Sequence, residues 1–519
     1  MSHPLRRRVC SAIVFVVVAA IVPIGLTVTP AVSLASSTLV SRHSPYAGCT
    51  ATGSTDLSEN EYVGAGNTNY ANTEVEPSVA VSPRTVGTSH TNLIGVWQQD
   101  RWSSGGAHGI VAASSFDGGT TWAETPLPFS VCAFHRSRFV RASDPWVSVG
   151  PDGTAYASAL GARRTSSAVL VATSRDGGKT WGTVRDITAH TGSRYEDDKE
   201  TITADPVRPG VAYATWNRIR RPTATHHQRT WFSTTTDGGR TWSPPKQIVP
   251  SVSGADTFQD QLVVDRRTHA LYTIFVETID HVQSAPVCPK THRGRTCKTV
   301  HTSGGNTLAT FIAFVKSTDG GETWSKPHSI ARVQALNPLE DFQYRLGYPG
   351  PMAASDPVSG KLYVVWTDTR FNQSETPEIA ISVSTDGGST WSAPRQVSVK
   401  SSQPAFTPAV AINAQGMIGV SYYRANDLYA SYTDTDPHPP PVLVDAWFAS
   451  SRDGGMHFGD PVHLGGPCDY WMAPFSHGYF LGDYQGLAVA GLTFHPLFVM
   501  TNSGNAGNRT DVFTTAVTP

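Results

Sequence analysis

Seven times along the chain a short extended run ends at a turn and is followed by a second run dense in aromatic and β-branched residues. That alternation predicts β-hairpins with one buried face. The first copies are Glu76–Pro83 with Leu93–Trp97, Asp144–Pro151 with Thr154–Ser158, and Lys199–Pro206 with Val211–Trp216. Gln259–Arg266 with Leu271–Val276, Gly350–Pro357 with Leu362–Trp366, and Thr407–Ala414 with Met417–Tyr422 continue the series. The last is Tyr484–Gly491 with Pro496–Thr501, and a further run, Asp511–Val517, follows it.

Between the hairpins recurs an eight-residue pattern, Ser/Thr-x-Asp-Gly-Gly-x-Thr-Trp. It occupies Ser115–Trp122, Ser174–Trp181, Thr235–Trp242, Ser317–Trp324 and Ser384–Trp391, with a looser copy at Ser451–Phe458. The spacing of Asp117, Asp176, Asp237, Asp319, Asp386 and Asp453 is that of repeated four-stranded units, and such periodicity means one large repeat fold rather than several domains. In each copy the carboxylate can accept backbone N–H bonds across the turn, the Gly pair permits positive φ, and the aromatic covers the sheet edge. Six equivalent aspartates spread around a ring do not converge on one site, so they read as scaffold rather than as catalytic groups or cation ligands.

These pieces assemble into an all-β chain, a single β-propeller of four-stranded blades. The count of hairpins gives seven blades, and the count of boxes gives six as the alternative. In the seven-bladed form a strand from the N-terminal segment between about Cys49 and Thr73 closes the ring, which removes exposed sheet edges. The expected division is a signal peptide over 1–35, an N-terminal segment with the closing strand over 36–73, and the propeller over 74–519.

Composition narrows the function. Charged residues make up 16 % of the chain and the net charge is −1, so there is no basic field to draw nucleic acid. Arg6, Arg7 and Arg8 precede an apolar stretch from about Ser11 to Val28 and the small residues Ser33–Ser36, the layout of an export signal cleaved after Ala35. An uncleaved anchor is the alternative for that stretch. A secreted, extracellular, monomeric protein is expected, with no membrane contact beyond the export signal. Outside the signal, Cys288 and Cys297 flank a loop and are expected to staple it, and Cys468 is expected to bond Cys49 or Cys132 in an oxidising compartment. No Cys/His cluster has metal-ligand spacing, and His226–His227 reads as a loop feature. No elbow, P-loop or zinc-protease motif is present, so no metal or cofactor is implied.

The eight-residue pattern resembles the Asp box, or BNR repeat, of sialidases and related propellers. Propellers bind ligands where the inner strands open. Aligning the seven copies puts Glu76, Asp144, Lys199, Gln259, Gly350, Thr407 and Tyr484 at that mouth, with Asp198, Glu200 and Asp260 beside them. The ends of the second strands add Asp100, Arg101, Arg218, Glu277, Asp368, Arg370 and Arg424. Such a ring either recognises an acidic ligand and supplies acid/base groups, or pairs its charges with one another around a wet channel.

Resemblance to sialidases implies three arginines on a substrate carboxylate, a tyrosine nucleophile with a glutamate base, and an aspartic acid/base, an exception to the two-carboxylate pattern of glycosidases. Gly482-Asp483-Tyr484-Gln485-Gly486-Leu487 is similar in place to the family's tyrosine segment and makes Tyr484 the expected nucleophile. Glu76 or Glu200 is the expected base, Asp144 or Asp198 the expected acid, and Arg101, Arg218, Arg370 and Arg424 the expected substrate clamp. The family's Arg-Ile-Pro motif is absent, with Glu76-Pro77-Ser78 in its place, and sialidases proper have six blades. The function expected from the resemblance is a glycan-active hydrolase similar to exo-α-sialidases, cleaving a terminal anionic sugar. A non-catalytic propeller binding a glycan or protein partner, or a lyase or hydrolase of another acidic polysaccharide, is the alternative.

Overall fold

The computed structural model describes residues 33–34, 36–50, 68–135, 137–163, 166–192, 194–220, 228–250, 255–281, 286–287, 298–299, 307–334, 344–347, 349–372, 376–398, 403–426 and 441–519. Within them the regular structure is β apart from two single-turn 3₁₀ helices, Pro83–Thr85 and Tyr470–Met472. Antiparallel strands follow one another in fours. The first sheet is Asn69–Val81, Leu93–Trp102, Ala107–Ser115 and Ala123–Pro126, and the second is Arg141–Val149, Ala155–Arg163, Ser166–Ser174 and Arg185–Thr191. The third comprises Tyr195–Ala204, Ala212–Arg220, Gln228–Thr235 and Lys246–Gln247; the fourth comprises Ala255–Val264, Leu271–His281, Thr307–Ser317 and His328–Arg332. Met352–Ser355, Leu362–Asp368, Glu378–Ser384 and Arg395–Gln396 form the fifth, and Ala405–Ile412, Ile418–Ala425, Leu443–Ser451 and Val462–Asp469 the sixth.

The last sheet has Gly486–Ala490, Thr493–Thr501 and Thr510–Thr514 from the C-terminal region. Its next strand is Thr38–Leu39, antiparallel to Phe513 and Thr514. Thr73 and Thr510 meet in parallel, and Ala107 pairs with Ala142, so these single contacts tie the last, first and second sheets together. The opening strands of successive sheets neighbour one another in chain order, and Gly486–Ala490 lies against Asn69–Val81. Residues 51–67, most of the segment expected to supply a closing strand, lie outside the described residues, as do Cys288, Cys297, His226, His227 and the chain before Ser33.

The middle strands carry the core. Leu362–Asp368 and Glu378–Ser384 are buried along their whole length, as are Leu93–Trp102 and Ala107–Ser115, as strands covered on both faces require. Each box sits at the turn after the third strand of its sheet. At Asp319, Oδ1 accepts from the Thr323 amide at 2.9 Å and from Ser317 Oγ at 2.7 Å, and the Gly321 amide donates to Ser317 Oγ at 2.9 Å. Such donors hold the carboxylate well below its ordinary range, the Thr323 hydroxyl contributing most. In this copy the second glycine lies against Phe232 of the preceding sheet. A Cβ on Gly321, at φ +95°, would sit 2.4 Å from Phe232 Cζ. Gly321→Ala is therefore expected to cost about 2–3 kcal/mol through overpacking and left-handed strain, a loss that urea unfolding measures; an unchanged midpoint would refute this account of the box.

The cysteine expectation is corrected. Cys49 bonds Cys132, while Cys468 lies buried in the sixth sheet with its thiol 3.5 Å from the Val444 carbonyl. The reason is the path of the N-terminal segment, which runs over the first sheet: Ser44 Oγ donates to Asp100 and Tyr46 Oη to the Ile110 carbonyl. That path carries Cys49 to the loop after the first sheet rather than to the sixth.

Candidate active site

Five opening strands contain a one-residue bulge at the same place, where their register shifts between Val75/Ser78, Ser143/Trp146, Asp198/Thr201, Phe258/Gln261 and Phe406/Ala409. Inside each bulge sits a residue in the left-handed region: Glu76 (φ 56°), Asp144 (53°), Lys199 (51°), Gln259 (57°) and Thr407 (50°). Gly350, the aligned residue of the fifth sheet, has φ 49°. A non-glycine residue held there costs on the order of 1–3 kcal/mol. Bulges of this kind re-aim a side chain, and three of these side chains meet. Tyr484, aligned with them by sequence, lacks the conformation.

Lys199 is the hub. Its Nζ lies 2.5 Å from Asp483 Oδ2, 3.0 Å from Asp144 Oδ2 and 3.8 Å from Glu76 Oε1. Burial alone would depress the ammonium pKa, but Asp144, Asp483, Glu76 and Asp198 together raise it well above the ordinary lysine value. Asp483 also accepts two hydrogen bonds from Arg345, from Nε at 2.7 Å and from Nη2. Burial opposes its ionisation; Arg345 and Lys199 overcome that and hold the carboxyl far below its usual range. Asp144 is lowered likewise: burial pushes up, and Lys199, the Ser143 hydroxyl and Arg101 outweigh it. Glu76 accepts from Gln98 and from the Asp483 amide. Burial, then Asp144, raise it to about 7 against the pull of Lys199.

Beside this cluster lies a small pocket, walled by the opening strands of the second to fifth sheets and by Asp483 and Tyr484. Asp144, Trp146, Lys199, Glu200, Asp260 and Met352 are among its lining residues. Glu200 is 2 % exposed, and neither of its carboxyl oxygens has a partner among the described residues. Burial first, then the charges of Asp144 and Asp198, raise its pKa well above the glutamate value. Asp260 accepts from Asn217 at 2.8 Å and Thr230 at 3.0 Å, and burial raises it to about 8. Asp198, at the rim, is raised to about 6 by burial and then by Asp144 and Glu196, against Lys199.

Tyr484 lines the pocket, but its hydroxyl donates to the Pro145 carbonyl at 2.9 Å rather than to a carboxylate, and its ring tilts against Trp146 at 5.2 Å. Burial and the surrounding carboxylates raise its pKa well above 10, the opposite of an activated nucleophile. The arginines do not form one clamp. Arg218 pairs with Asp197 at 2.7 Å and stacks on Trp231; Arg370 pairs with Asp368 at 2.7 Å; Arg424 lies over Tyr422 and Trp447. Arg101 approaches the hub from behind, donating to Gln98 at 2.6 Å and Ser476 at 3.1 Å. It shares the Phe480 ring with Arg345, the two guanidiniums lying 5.1 and 4.6 Å from the centroid. Of the other mouth residues, Asp100 ties down Ser44, Asn72 and His108, and Glu277 is raised by burial. Asp483 and Arg345 were not singled out by the sequence. Asp483 stood in the quoted tyrosine segment without a role, and Arg345 lies in a stretch with no repeat. Among the described residues no group of three or more His, Cys, Asp or Glu side chains is arranged to hold a metal ion.

Fold and site define an all-β repeat protein with a charged pocket where its opening strands converge. The family model for the BNR/Asp-box repeat matches residues 315–326, and the chain carries that repeat. No curated protein matches the sequence. Among solved structures the chain is similar to a Hadza microbial sialidase, at 15 % identity over 83 % of this chain and 74 % of the other, with a TM-score of 0.44. A Penicillium chrysogenum alpha-L-arabinanase gives 14 % over 85 % and 92 %, with 0.41. A Dyadobacter fermentans protein of unknown function gives 11 % over 94 % and 99 %, with 0.46.

Proposed function

We propose that the protein is a secreted glycoside hydrolase acting at the Glu200 pocket, on a seven-bladed propeller whose last blade is completed by Thr38–Leu39. The cyclic order of the opening strands supports the blade count, and the basic-then-apolar N-terminus supports export. One observation carries the activity: two carboxyls on one pocket, Glu200 and Asp144, are pushed in opposite directions by their surroundings. Environments that separate two carboxyl pKa values assign an acid and a base. Glu200, buried and without a hydrogen-bond partner among the described residues, stays protonated and donates to the departing glycosidic oxygen. Asp144, held ionised by Lys199, faces the positive charge that develops at the anomeric carbon. This reverses the roles expected from the resemblance, in which Asp144 was an acid and Glu200 a base, and it needs no tyrosine nucleophile. Trp146 and Tyr484 offer ring faces to a sugar. A panel of fluorogenic glycosides, including an α-sialoside, tests the reading: release of the fluorophore by the purified protein is expected, and silence across the whole panel would overturn hydrolysis.

A further inference from the structure

We infer that the pocket takes a sugar without an acidic group and discriminates against carboxylate-bearing sugars such as sialosides and glucuronides. The inference rests on the hydrolase reading and deepens it by naming the substrate class.

Its ground is the inventory of charge facing the ligand. Among the described lining residues Lys199 is the one basic side chain, against the carboxyls of Asp144, Glu200, Asp260 and Asp483. Its ammonium already faces Asp483, Asp144 and Glu76, so among the described residues an incoming carboxylate finds no unengaged cation in the pocket wall. The two guanidiniums near the cluster offer no substitute. Arg345 is engaged by both oxygens of Asp483, and Arg101 is 4 % exposed and held by Gln98 and Ser476. Neither lines the pocket. Arg218 and Arg370 are paired with their own aspartates.

The pocket offers neutral hydrogen-bonding groups instead, with Thr201, Gln259 and Gln261 among its lining residues. The Glu200 carboxyl is buried with no partner among the described residues, and a buried polar group left in that state costs free energy until something pairs with it. Sugar hydroxyls supply such partners without adding charge. An acidic sugar would instead bury a carboxylate without a free counter-charge, which corresponds to a discrimination on the order of 100-fold or more.

Two measurements on the full chain separate this inference from the reading beneath it. The first is kcat/KM on neutral pentosides and hexosides beside an α-sialoside and a β-glucuronide; preference for the neutral substrates by on the order of 100-fold is expected, and equal or better turnover of the acidic ones would overturn the inference while leaving hydrolysis intact. The second is titration of tryptophan fluorescence with neutral oligosaccharides and with sialyllactose, in wild type and in Trp146→Phe to isolate the pocket's share of the signal from the chain's 13 tryptophans, which requires no turnover. Saturable quenching by neutral ligands alone supports the inference even if no glycoside is cleaved. Quenching by sialyllactose alone, or by neither class, overturns it.

Discussion

Replacing Lys199 with methionine lowers stability by about 3–5 kcal/mol, the cost of leaving buried charges uncompensated. One ammonium serves three carboxylates, and the substitution keeps most of the side-chain volume while removing the charge. Asp144 and Asp483 then face each other and Glu76 with only Arg345 and Arg101 nearby. The pH dependence carries the same signature. Asp144 and Asp483 have folded pKa values below their unfolded ones, so the stability they contribute is present above about pH 4 and is lost as pH falls. Glu76 acts in the opposite sense: its folded value, about 7, is raised, so its contribution is full below about pH 4 and is lost as pH rises through 7. Urea unfolding of wild type and variant from pH 3 to 8 should show two curves that converge on acidification, as the aspartates lose the charges that Lys199 pairs. A loss under about 1 kcal/mol at pH 7 would place the hub among ordinary surface ion pairs. Should the methionine variant not fold, Lys199→Arg keeps the charge and is expected to retain most of the stability.

Glu200→Gln reduces kcat by about 10²–10⁴-fold, the range spanned by a general acid, while the fold survives. Glutamine keeps the shape and adds an amide that can donate within the pocket, but it cannot deliver a proton to a leaving oxygen. The loss should depend on the leaving group: an activated aryl glycoside, whose departing oxygen needs little protonation, suffers less than a natural glycan. The wild-type pH profile should fall on its alkaline side at a pKa above the ordinary glutamate range, because Glu200 must remain protonated, and on its acid side below the ordinary aspartate range, because Asp144 must remain ionised. The alkaline limb belongs to Glu200 and disappears in the variant. A variant with wild-type kcat, or a profile whose alkaline limb persists, would take the acid role away from Glu200.

The parts of this protein that were legible in its sequence are those made by short-range rules. A box such as Ser317–Trp324 is a self-contained turn, so its residues announce it wherever it occurs. A hairpin such as Gly350–Pro357 with Leu362–Trp366 shows in a turn followed by a dense run of aromatic and β-branched residues. The same alignment placed Glu76, Asp144 and Lys199 at equivalent positions, yet not their left-handed backbone, because no glycine or asparagine marks those bulges. It also gave no sign that Glu76 and Asp144 would share the Lys199 ammonium with Asp483, since that depends on how far apart successive sheets splay. Arg345 was invisible because it belongs to no repeat, and its meaning comes from Asp483, 138 residues away. The expected arginine clamp failed for the same reason: Arg218 and Arg370 have acidic neighbours close at hand, Asp197 and Asp368, and a local partner takes a guanidinium before a distant ligand can.

The strand Thr38–Leu39 has a bearing on how the protein is made. Its partners, Phe513 and Thr514, are synthesised long after it, and the nearby bond from Ser41 to Asp511 spans 470 positions. A nascent chain can build its early sheets as they emerge, each from neighbouring segments. The last sheet must wait, with Thr38–Leu39 kept unpaired until Phe513 and Thr514 emerge and the closure entropy of so long a loop still to be met. A ribosome stalled before residue 510 leaves most of the described sheets formed and Thr38–Leu39 without its partner strand.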